Sequence, residues 1–148
     1  MPDQDLISVV KTIIDANQYM TLATADAAGQ PWASPVFYAT ADYTEFYWIS
    51  APEATHSRNL AQRPRLGIVI FDSGVPAGTG QGVYMSATAR QVAGEDLDRG
   101  LAVYPGPVPA PFRLYRATAS EHSILCPGDS KGCGAHGLPF DHRVTVRL

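Results

Sequence analysis

Lysine is nearly missing from this chain. Lys11 and Lys131 are the only two in 148 residues, and the 11 basic residues are scattered against 14 acids for a net charge of −3. Binding a phosphate backbone needs a stripe of Lys and Arg, so no nucleic-acid partner is expected. Cysteine is scarce as well. In a reducing compartment Cys126 and Cys133 read as free thiols rather than a disulfide. No apolar run approaches the roughly 18 residues that span a membrane. The opening MPDQDLISVVKTIIDANQ puts acids where a secretory signal carries cations. The expectation is a cytoplasmic protein without membrane contact.

What is present suits one globular domain over residues 1–148: 45% hydrophobic and 17% charged residues, with no internal repeat and no long linker. Leu6, Val9, Val10, Ile13 and Ile14 recur at helical spacing and predict a helix over 5–16. YMTLATA (19–25) and WASPVFYAT (32–40) flank a turn containing Asp26, Gly29 and Pro31, which predicts a hairpin. EFYWIS (45–50) is a third strand by its aromatic density. A short helix before Pro64 leads to RLGIVIF (65–71), an apolar run expected to be a strand covered on both faces. VYMSATARQV (83–92) alternates, with Val83, Met85, Ala87 and Ala89 on one face. A helix over 94–105 and strands over 118–126 and 140–148 complete the chain. The fold class is mainly β: about seven mostly antiparallel strands with a few short helices, closing into a small barrel that removes exposed edges.

Several sites compete for function. Gly78-Thr79-Gly80-Gln81-Gly82 lies between two strands with no helix after it, so the dinucleotide-binding context is absent. His122, Cys126, Cys133 and His136 are zinc-ligand types, but their spacing is not that of a zinc knuckle, and no metal is assigned. The polar cluster Thr55, His56, Ser57, Arg58 and Asn59 follows the third strand. Hydroxyls, an imidazole, a guanidinium and the free N–H groups of a helix start are what a phosphate needs. A plain helix cap by Thr55 or Ser57 explains the same residues.

The order of these pieces resembles the FMN-binding split-barrel family, the pyridoxamine 5′-phosphate oxidase-like proteins. The matching residues are Ala23-Thr24, Gly29-x-Pro31, Ser34-Pro35-Val36, Trp48-Ile49-Ser50, His56 before Asn59-Leu60, and Pro64, over about residues 8–93; FDHRVTVRL resembles the closing strand. The resemblance implies a six- to seven-stranded antiparallel Greek-key split barrel and a homodimer with two flavin sites at its interface. It places the FMN phosphate at Ser50, Thr55, His56, Ser57, Arg58 and Asn59, beside Trp48 and Ile49. It lays Ser34, Pro35 and Val36 along the isoalloxazine and puts Gln81 one residue from a flavin-contacting Gln. Where true pyridoxamine phosphate oxidases carry cations, this chain has Ala33, Tyr38 and Ala54-Thr55-His56, which argues against that substrate.

The resemblance therefore implies a flavin-dependent oxidoreductase, with FMN as cofactor, moving hydride or electrons between a donor such as a nicotinamide nucleotide and a small acceptor. Alternatives are a reductase using the deazaflavin coenzyme F-420, whose anionic tail asks for more cations than this chain offers, and a non-catalytic flavin or haem carrier with His122 or His142 as axial ligand. Tyr38, Tyr47 and Trp48 are expected to present an aromatic surface that a second chain covers.

Overall fold

A computed structural model describes residues 3–78, 81–126 and 142–148. Cys133 and His136, and the side chain of Cys126, lie outside what is described. The elements run α1 (Asp3–Ala16), β1 (Tyr19–Ala25), β2 (Pro31–Phe37), β3 (Ala39–Thr40), β4 (Glu45–Ser50), α2 (Thr55–Gln62), β5 (Arg65–Phe71), β6 (Gly82–Gln91), α3 (Gly94–Val103), β7 (Arg113–Cys126) and β8 (His142–Val146). No helix among them is long and apolar enough to cross a membrane.

One antiparallel sheet carries all eight strands in the order β2-β1-β5-β6-β7-β4-β3, with β8 added to β7. β2 and β3 sit at opposite ends of that path, yet only Tyr38 separates them in the chain. The path therefore curls back on itself into a barrel. The chain through β2 and β3 pairs with β1 by its first part and with β4 by its last. Tyr38, at the break, donates its hydroxyl to the Ile14 carbonyl at 2.6 Å and ties the joint to α1.

Alternating residues fill the interior: Met20, Leu22, Phe46, Trp48, Leu66, Ile68, Ile70, Val83, Met85, Ala87 and Ala89 form one core with Leu6, Val10 and Ile14 of α1. Their burial provides the main stabilising term. A second, smaller core lies outside the barrel wall, where α3 and Tyr104 cover Tyr47, Val92 and Leu114. Arg116, almost fully buried, joins this layer to the barrel through ion pairs with Asp96 (3.1 Å) and Glu45 (3.6 Å).

Three expectations need correction. β5 is fully covered on one face only: Leu66, Ile68 and Ile70 are buried, whereas on the other Gly67 and Val69 are half-buried and Phe71 is 53% exposed, because among the described residues no helix packs on the outer side of this part of the sheet. Tyr38, Tyr47 and Trp48 present no aromatic surface for a partner. Their exposures are 6%, 2% and 0% within this one chain, since Tyr38 and Trp48 join the barrel core and Tyr47 the core under α3. β7 begins at Arg113 rather than at 118, and its first residues pair along the whole of β4.

Candidate functional site

The barrel is split on one side. Ser34, Pro35 and Val36 pair with Leu22, Thr21 and Met20 of β1 along one edge. Trp48, Ile49 and Ser50 pair with Tyr115, Leu114 and Arg113 of β7 along one edge. β3 reaches only Phe46 and Tyr47, so beyond it β2 and β4 approach each other without a ladder between them among the described residues. Unpaired strand edges are rows of N–H and C=O groups with a donor or acceptor to offer. Of the three β2 residues, Val36 is buried, Ser34 half-buried and Pro35 exposed.

The turn after Ser50 leads straight into α2, whose buried face is His56, Ser57, Asn59 and Leu60. Three of those four are polar, and each finds a partner inside the barrel mouth. His56 Nε2 lies 2.7 Å from Ser50 Oγ, and Ser57 donates its hydroxyl to the same oxygen at 3.3 Å. Ser50 Oγ thus bridges His56 and Ser57. Asn59 Nδ2 donates to Thr24 Oγ1 of β1 at 3.1 Å. Buried polar groups are retained when bonded in this way. The indole N–H of Trp48, fully buried two residues before Ser50 on the same face of β4, has no hydrogen-bond partner among the described residues.

The helix-cap reading fails. The cap position is Ala54, no side chain caps the helix, Thr55 is already its first residue, and the Ser57 hydroxyl is turned to Ser50. The N–H groups of the first turn have no intrahelical acceptor, and together with the helix dipole they favour an anion there.

The cradle reading is changed rather than removed. Burial lowers the His56 pKa from its usual 6.5, so at neutral pH the imidazole is uncharged. It faces the interior and has only its backbone N–H at the helix start. Thr55 is half-buried and Arg58 exposed, so of the five residues of the cluster these two are the ones not buried. Gln81 is not brought to this place. It sits just before β6, near Val69, Phe71 and Tyr84, whereas the strand end that meets the chain leaving α2 is Ala89, bonded to the Pro64 carbonyl.

Of the two histidines considered for haem, His122 is buried with Nε2 2.6 Å from the Tyr43 carbonyl, so that nitrogen is engaged; His142 is half-buried at the start of β8. Among the described residues no group of three or more His, Cys, Asp or Glu side chains could hold a metal ion.

Sequence reasoning missed Arg113. It stands directly across from Ser50 in the β4–β7 ladder, and no local motif marks it because the two residues meet only through strand register.

No curated protein matches the chain significantly. Among solved structures, a haem-binding protein from Mycobacterium smegmatis superposes with TM-score 0.71 at 23% identity, over 92% of this chain and 56% of that one. This chain thus spans little more than half of that protein. An FAD-binding protein from Mesorhizobium loti gives TM-score 0.64 at 21% identity over 79% of this chain and 91% of its own. The haem storage protein HutZ from Vibrio cholerae gives 0.60 at 18% over 76% and 89%. At such identities these likenesses establish the split-barrel fold. The family model described as pyridoxamine 5′-phosphate oxidase matches residues 6–126, and the chain belongs to that family.

Proposed function

We propose that the chain binds FMN in the split between β2 and β4, as one half of a homodimer, and works as a flavin-dependent oxidoreductase on a small substrate. The observation that carries this reading is the uncapped start of α2, placed by the Ser50–His56 bond at the end of the gap between two unpaired strand edges. Membership of the pyridoxamine 5′-phosphate oxidase family and the likeness to an FAD-binding protein support it.

In this reading the backbone of Ser34, Pro35 and Val36 lies along the planar ring, with the β4 edge of Trp48, Ile49 and Ser50 opposite. Thr55, Arg58 and the N–H groups of the first α2 turn hold the phosphate. His56, Ser57 and Asn59 fix the helix rather than touch the ligand. When bound, the isoalloxazine supplies the hydride and electron transfer, and the protein supplies position and electrostatics. Titration of purified protein with FMN, riboflavin and the deazaflavin coenzyme in parallel tests the assignment. FMN should bind most tightly, because the mouth offers donors for one phosphate but no cluster of cations for a polyanionic tail.

A second reading, haem carriage, is favoured by the similarity to a haem-binding protein and a haem storage protein. It takes His142 as the axial candidate, and a Soret band on adding haem, lost in His142→Ala, would replace the flavin reading.

A further inference from the structure

We infer that Arg113 is a further phosphate-binding residue of the split, supplying the cationic contact that His56 does not. The inference rests on the flavin reading of that site. Ser50 is the last residue of β4 and Arg113 the first of β7, and the two are direct antiparallel partners. Directly opposed residues stand on the same face with Cα atoms about 4.5–5.5 Å apart. Ser50 points into the barrel mouth, where it holds His56, so Arg113 rises from the same face, at the end where α2 begins. Tyr115, two residues on and again on that face, lies in the barrel core, whereas Leu114 between them packs under α3.

The other arginines near α3 are already engaged. Arg90, Arg99 and Arg116 pair with Asp96 and Glu45. Arg63 donates to the Ala27 carbonyl and Arg143 lies over the Tyr84 ring. Arg113 is exposed, and its guanidinium donates to the carbonyl of its neighbour Phe112 at 3.1 Å. Among the described residues neither Arg113 nor Arg58 makes an ion pair. Glu53, the one carboxylate in the turn between Ser50 and α2, is exposed and pairs with neither. Two guanidinium groups without a carboxylate partner among the described residues therefore stand on the elements that meet where β4 leads into α2, one on α2 and one across the ladder from Ser50. A guanidinium fork suits a phosphate better than the neutral imidazole does.

The test is fluorescence titration of FMN and riboflavin against the full chain and its Arg113→Ala, Arg113→Lys and Arg147→Ala variants. Arg113→Ala should weaken FMN binding about tenfold or more while leaving riboflavin binding unchanged, because one charge-assisted bond to the phosphate is lost. Arg113→Lys should recover part of the loss, and Arg147→Ala, near His122 and Thr44, should lose nothing. FMN binding that is intact in Arg113→Ala, or an equal loss for both ligands, would overturn the inference and leave the flavin reading standing. Absence of any flavin binding by the unaltered protein would overturn both.

Discussion

Ser50 Oγ and His56 Nε2 lie 2.7 Å apart, and both side chains are turned away from solvent. The bond spans the end of β4 and the start of α2, so the helix that carries the candidate phosphate site is fixed to the strand that borders the split. Burial also holds His56 below its usual pKa of 6.5. The folded chain then binds a proton less readily than the unfolded chain, so the effect is absent above about pH 6.5 and stability falls as pH drops below it. The melting temperature should fall more steeply between about pH 7.5 and 5.5 in the unaltered protein than in His56→Gln. Parallel curves for the two would show that His56 is not the titrating group.

Asn59 and Thr24 form a second tie, between α2 and β1, at 3.1 Å with both residues buried. Asn59→Ala leaves the Thr24 hydroxyl unbonded and should cost about 1–3 kcal/mol in chemical denaturation. Combined with Thr24→Val, the loss should be smaller than the sum of the two single losses. Strict additivity would deny the tie.

Gly100 tests how closely α3 packs. A Cβ there would meet Tyr47 Cε1 and Leu114 Cδ2 at 2.6 Å. Alanine normally favours a helix by up to about 1 kcal/mol over glycine, but overpacking costs about 1–3 kcal/mol. Gly100→Ala should therefore destabilise, and a raised melting temperature would mean that α3 is free to shift outward.

Much of this was legible beforehand. β1, β4 and β5 were bounded by turn residues and read to the residue, and β6 alternated as its burial does, with Val83, Met85, Ala87 and Ala89 inside. The start of β7 was hidden. The proline-rich stretch before it reads as irregular, and Leu114 through Ala117 are all buried, so no alternation shows: Leu114 and Arg116 face α3 while Tyr115 and Ala117 face the barrel. The inward turn of His56, Ser57 and Asn59 was hidden for a related reason. Polar residues on a short helix read as its solvent face, and here the interior supplies their partners from Ser50 and Thr24. The place of Arg113 was hidden with the start of β7, because it stands opposite Ser50 only once β7 is extended back.

Arg58 is the one cationic side chain of α2, and it is exposed. Arg58→Ala should lower FMN affinity by about 1.5 kcal/mol, close to tenfold and at the low end for a charge-assisted bond, since the residue is exposed. Riboflavin affinity should not change. An equal loss for both ligands would place Arg58 against the ring instead of the phosphate.

The most direct test of the account is the binding of FMN itself, measured beside riboflavin by quenching of flavin fluorescence. The account predicts saturable FMN binding with a micromolar or tighter dissociation constant, and distinctly weaker riboflavin binding because the first turn of α2, Arg58 and Arg113 then have no anion to hold. FMN fluorescence that stays unquenched at protein concentrations far above micromolar would contradict it.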